Sequence, residues 1–226
     1  LIVLPQLAML DFSLRYDLPA SRQGGPDDVW TLENYRYFLF GHPGNPDGWN
    51  RVDVGVFTRT IVAAAFVTLF NLVICYPVAY YLAQVARGGQ ARALALALVI
   101  PYWVNEILRA FAFRIIFGAS GVIISTLLTL GMIDQPIDFI RADVALYAGL
   151  GYAYVLLMVF PLYNAIESLD RNQIEAARDL GAPWWKIHTR IVIPFAKPGI
   201  TSGCTMVFML AAGALAEAKL LGGRAV

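Results

Sequence analysis

Charge is scarce in this sequence. Only 15% of its 226 residues are Asp, Glu, Lys or Arg, while 58% are hydrophobic; soluble domains sit near 45–50% apolar and about 25% charged. No charged side chain falls in Ile61–Ala86, in Val144–Ile166 or in Pro198–Ala216. About 20 apolar residues rising 1.5 Å each cross the hydrocarbon core of a bilayer. Runs of this length, with a mean hydropathy of +0.60, define an all-α polytopic membrane protein rather than the buried helices of a large soluble one.

Other shortages exclude whole classes. A net charge of +1 supplies no basic stripe for nucleic acid. The two cysteines, Cys75 and Cys204, lie inside apolar runs and read as small hydrophobes, so neither a disulfide framework nor a metal site is expected. His42 and His188 are far apart with no His or Cys at ligand spacing, and read as structural or solvated. No Gly-Lys pair occurs anywhere, so the phosphate loop Gly-x-x-x-x-Gly-Lys-Ser/Thr is missing and the chain cannot hydrolyse ATP by that chemistry. Only Glu106 and Glu217 place carboxylates at membrane level, too few for a membrane-integral enzyme; no catalytic residue is assigned. No repeat is evident, which disfavours a secondary transporter or channel built from two similar halves, the alternative reading.

What is present can be ordered along the chain. Leu1–Leu10 reads as the tail of a first membrane helix. Residues 11–59 turn polar and rich in turn formers, an outer loop in which Thr31–Tyr35 starts a short amphipathic helix. Ile61–Ala86 is the first complete span, with Asn71 and Pro77 inside it. The turn Arg87–Arg92 is basic and the connection Asp134–Asp143 mostly acidic. Short cytoplasmic loops are enriched in Lys and Arg, so the first lies inside, the second outside, and one crossing around 93–115 joins them. Residues 118–131 then form a re-entrant or surface helix on the outer side. A span at 144–166 returns inward, 167–198 lies in the cytoplasm, and a span at 199–219 runs outward.

The loop 167–198 is long, charged and helix-forming. Ile174, Ala177, Leu180 and Gly181 fall at helical spacing; Gly181 is placed to end that helix in a left-handed conformation. Pro183 suits the first turn of a second helix carrying Trp184, Ile187 and Ile191 on one side, and Pro194 and Pro198 break the path before the next span. Two alanines permit close approach by another surface, and Trp184-Trp185 offers a large area to bury. An amphipathic helix resting on the bilayer would use the same residues.

Glu175-Ala176-Ala177, three residues, Gly181, then Ile191-Val192-Ile193-Pro194 resembles the EAA loop of inner-membrane subunits of binding-protein-dependent ABC importers. Thr31–Tyr35, Cys75–Tyr80, Pro101–Trp103 through Arg109, Leu130–Asp134 and Leu221–Gly223 extend the likeness over nearly the whole chain, most closely to polyamine-type (spermidine/putrescine) permease B subunits. The resemblance implies a type I importer transmembrane domain of about six helices, a single permease domain over 1–226 with the first and last helices incomplete. It implies the bacterial inner membrane and its lipid, a second permease subunit in a heterodimer, and two copies of an ATPase that holds the ATP and Mg. It also implies a periplasmic or lipid-anchored solute-binding protein. The coupling residues would be Glu175, Ala176, Ala177, Asp179, Gly181 and Trp184, with Glu175 anchoring the loop through hydrogen bonds.

The solute path is read from charges inside apolar sequence, which are costly in a membrane and usually face a bundle interior or cavity. Glu106 and Arg109 stand one turn apart; they line the path or pair with each other near the outer end of the helix. Trp103, Asn105 and Tyr102 would suit a polyamine through cation–π contact and hydrogen bonding. Lys219 stands where polyamine-type relatives often carry an acidic residue, which opens the path to other small polar or anionic solutes.

Overall fold

The longest helix starts at Asn50. Its Oδ1 accepts from the Asp53 N–H at 3.3 Å while its Nδ2 donates to the Asp53 carboxylate at 2.6 Å, a cap for donors that no helical carbonyl can reach. The computed structural model describes residues 3–15, 25, 29–41, 49–133, 135, 137–214 and 220–221. Among these are α1 (Val3–Ser13), α2 (Glu33–Phe40) and the helix that Asn50 opens, α3 (Arg51–Tyr80). The segment expected as the loop 11–59 contains α2, and its last residues from Arg51 are already the first turns of α3, because the Asn50 cap starts α3 well before Ile61. The expected short helix at Thr31–Tyr35 is present, from Glu33.

The chain divides into two compact units, Leu1–Thr60 and Ile61–Val226. In the first, the Asn34 amide donates to the carbonyls of Ser13 and Arg15, and Phe38 meets Phe57 edge-on at 5.7 Å.

The second unit continues with α4 (Gly89–Val99), α5 (Glu106–Phe117), α6 (Val122–Thr129), α7 (Val144–Glu167), α8 (Arg171–Asp179), α9 (Trp184–Ile187) and α10 (Ile193–Ala212). Four stretches are long and apolar enough to cross a membrane: Arg51–Val85, Glu106–Thr129, Val144–Glu167 and Trp184–Ala212. The crossing expected around 93–115 is not one of them. A 3₁₀ turn at Ile100–Trp103 opens on Pro101, and Val104 is extended. Asn105 restarts the helix by accepting from the Ile107 N–H at 2.9 Å. Pro101 supplies no N–H for a bond to the carbonyl one turn earlier; the helix tightens into the 3₁₀ turn there and ends at the extended Val104. The helix expected within 118–131 is the 8-residue α6.

Pro194 and Pro198 do not break the path either. Helix runs continuously through Trp184–Ala212, 29 residues. Pro194 sits in the first turn of α10, directly after a π-helical turn at His188–Val192. The wider turn relieves the clash between a proline ring and the carbonyl one turn earlier.

The core of this unit forms where α7 packs on α10 and on the second half of α3. Met158, Leu162 and Ile166 of α7 are fully buried with Val207 of α10 and Val67 and Cys75 of α3. Gly199 and Gly203, four residues apart, let α10 approach α7. A Cβ on Gly199 would run into the Pro161 carbonyl and the Ala165 methyl, and one on Gly203 would meet Met158 Sδ at 2.9 Å. Small residues at this spacing allow close backbone contact where lipid offers no hydrophobic drive between helices.

Candidate functional site

The loop between α7 and α10 is built from its caps. Asp170 Oδ1 accepts from the Asn172 N–H at 3.0 Å and starts α8. At the other end Ala182 N–H reaches the Ala177 carbonyl at 3.0 Å and Gly181 N–H the Arg178 carbonyl at 2.8 Å. This pair of bonds is a Schellman motif, which demands a left-handed residue after the helix; Gly181 supplies it with φ +74°. Pro183, extended, then opens α9. The helix–turn–helix expected from sequence is present, with its turn at Gly181.

Three contacts fasten the loop to the end of α3, which closes in a π-helical turn at Tyr81–Val85. Gln84 Nε2 donates to the carbonyls of Ile166 at 2.7 Å and Leu169 at 3.2 Å. Arg171 donates to the Ala83 carbonyl at 3.2 Å, a cation placed at a helix C-terminus where the macrodipole favours it. Tyr76 OH and His188 Nδ1 are 2.7 Å apart.

These fasteners correct the role expected of Glu175. Among the described residues its carboxylate makes no hydrogen bond; it lies exposed in a pocket of about 370 Å³ with Arg87, Arg171 and Arg178. Ala176, Asp179, Gly181 and Trp184 are likewise exposed, whereas Ala177 is half-buried and packs on the core below. Leu180, at helical spacing from Ile174, is 88% exposed while Ile174 is 4% exposed. Leu180 follows the last helical residue, so its side chain leaves the face that Ile174 shares with the core. An exposed Leu180 beside Trp184 and Trp185, at 67% and 58%, forms an apolar tip on a charged loop, a surface shape that marks an interaction site.

The residues expected along the solute path separate. Arg109 is half-buried and lines a pocket of about 160 Å³ with Tyr102, Pro101 and Tyr152. Glu106 is exposed, and no ion pair links it to Arg109 among the described residues. Asn105 serves as the cap of α5, and Trp103 is 87% exposed. Lys219, Glu217 and His42 lie outside the described residues.

Sequence reading missed the contacts of Tyr76, Gln84 and Arg171 and read His188 only as structural or solvated. Tyr76 and Tyr80, and Trp184 and His188, each stand four apart, a spacing that puts both members on one helix face. Which two faces would meet was not written there.

Membrane-length helices frame this capped loop, and the chain belongs to the family of binding-protein-dependent transport system inner membrane components, whose pattern matches residues 60–225. Within that family it is 36% identical over 195 residues to the spermidine/putrescine transport system permease protein PotB of Escherichia coli K12, covering 86% of this chain and 67% of that one. PotB of Salmonella typhimurium LT2 is also 36% identical, and this chain spans 64% of its length. The molybdenum transport system permease protein ModB of Azotobacter vinelandii is 28% identical over 178 residues, 76% of this chain and 74% of that one.

Proposed function

We propose that this chain forms half of the membrane pathway of an ABC importer, carries a polyamine, and receives ATP-driven motion through the loop 167–198 on the cytoplasmic side. The observation that carries this reading is the loop itself. Ile174, Leu169 and Ile187 bury one face of it, and the other presents Glu175, Ala176, Asp179, Leu180 and Trp184 to solvent. That exposed face is where a separate ATPase docks, two copies serving this subunit and a second permease. The ATPase binds ATP and Mg, and a solute-binding protein delivers cargo from outside. An ATPase can shift the packing of the membrane helices only by contacting the loop differently in its two states.

Identity to PotB supports spermidine or putrescine as cargo. The half-buried Arg109 favours an anion as the second reading, in keeping with the likeness to ModB. Uptake of labelled spermidine and molybdate by cells expressing the complete transporter separates the two. Glu175→Lys reverses the charge on the exposed face. It leaves the subunit in the membrane, strips the ATPase from the purified complex and abolishes uptake. Normal uptake by well-expressed Glu175→Lys sinks the docking reading.

A further inference from the structure

His188 is 5% exposed, yet its Nε2 has no hydrogen-bond partner. Only Nδ1 is engaged, with the Tyr76 hydroxyl at 2.7 Å. Whichever of the two atoms carries the shared proton, Nε2 remains buried and unpaired, and burial of an unpaired polar atom is destabilising. A phenyl ring would fill the same nest without that loss, so what an imidazole adds here is the directional bond through Nδ1.

The surroundings show what that bond joins. The His188 ring packs against Trp184 at 4.1 Å, Tyr80 at 4.5 Å and Tyr76 at 5.8 Å. Trp184 is 67% exposed at the tip of the loop, so a chain of four rings runs from the docking face to α3. It meets α3 one residue to one side of Pro77 and three to the other, and Pro77 lies inside the helix. A proline within a helix removes one hydrogen bond and is the commonest place for it to bend. The π-helical turn at Tyr81–Val85 follows immediately. On the loop side, His188 opens the π-helical turn that leads without interruption into α10.

We propose that His188 is a positioning residue for transport: its hydrogen bond to Tyr76 carries movement of the docked loop at Trp184 to α3 at Pro77, where the helix can bend. This rests on the docking reading above and adds the route by which one membrane helix follows the loop. Among the described residues, the other hydrogen bonds that tie this region together lie after Pro77, at Ala83 and Gln84 in the π-helical turn. Tyr76 is the hydrogen-bonding residue on the near side of Pro77.

The test uses the complete transporter in proteoliposomes, spin-labelled at Asn172→Cys in α8 and Val62→Cys before Pro77 in α3. Distances are measured without nucleotide and after trapping with ADP and vanadate. In the otherwise unaltered protein trapping shifts the distance; Tyr76→Phe and His188→Phe lose the shift although the ATPase stays bound and traps nucleotide. Spermidine taken up per ATP hydrolysed falls about fivefold in Tyr76→Phe, the size of one hydrogen bond. His188→Asn, whose amide reaches the place of Nδ1, restores both. A purely structural His188 would lower the thermal midpoint of the Phe variants and leave shift and uptake per ATP alone. An unchanged distance shift in Tyr76→Phe overturns the relay. An ATPase that never co-purifies with the unaltered chain overturns the docking reading, and the relay with it.

Discussion

Gly181 combines two demands that pull apart under substitution. Its φ of +74° is a conformation that side chains with a Cβ rarely adopt, yet the space around it is open, with nothing within 4 Å of a built Cβ. Strain alone makes Gly181→Ala cost about 1 kcal/mol. Asn and Asp tolerate the left-handed region better than other residues, so Gly181→Asn and Gly181→Asp fold with a smaller loss. If the glycine served only the turn, Asn would be nearly silent. If the ATPase docks on this loop as proposed, a side chain at 181 intrudes on that contact, and both Asn and Asp variants are expected to keep their thermal midpoint within a few degrees and still lose uptake. Thermal unfolding of the purified subunit beside an uptake assay reads the two effects separately. Glycine at this position was legible in the sequence, since a helix rich in charge followed by Gly and Pro signals its own end. The freedom of the Glu175 carboxylate was not, because whether it anchors or projects depends on Arg171 and Gln84 taking the anchoring bonds instead.

At the scale of helices, apolar length located α7 to within a residue and placed the core of α3 and α10, because hydrophobic runs are what the bilayer selects. Prolines misled in both directions. Pro101 breaks its run, while Pro194 and Pro198 are absorbed into α10; for Pro194 the difference lies in a first-turn position and a preceding π-helical turn, which hydropathy does not register. The Gly199–Gly203 pair was visible as a spacing, but its partner face on α7 came only with packing. The two glycines are not equivalent. A methyl on Gly199 meets the backbone carbonyl of Pro161, which cannot turn aside, whereas one on Gly203 meets the flexible end of Met158. Gly199→Ala is therefore expected to destabilise by about 1–3 kcal/mol, as overpacking does. Gly203→Ala should have a smaller effect, measured as the drop in thermal midpoint of each variant in detergent. Equal midpoints would mean that α10 shifts freely along α7.

For the whole molecule the question is where the chain crosses between Arg87 and Val144. By length and composition the stretch Glu106–Thr129 qualifies as one span, but it is two helices, α5 of 12 residues and α6 of 8, separated at Gly118–Gly121. Charge points instead to a crossing through α4 and α5 together, broken at Pro101, with the basic Arg87–Arg92 turn inside. Both arrangements put Arg141 outside and Asn172 inside; they disagree about Ser120, which is at the outer surface in the second and within the membrane in the first. Cys75 is buried and Cys204 half-buried, and both can be replaced by Ala to give a background without thiols. Single cysteines at Arg141, whose side chain is 82% exposed, and at Ser120 are then expected to react with a membrane-impermeant maleimide added to intact spheroplasts. Asn172→Cys should react only after permeabilisation. A silent Ser120→Cys beside a labelled Arg141→Cys would move the crossing to Glu106–Thr129. It would place Arg109, three residues into that span, near its cytoplasmic end, and move the pocket it shares with Tyr102 and Tyr152 away from the outer face.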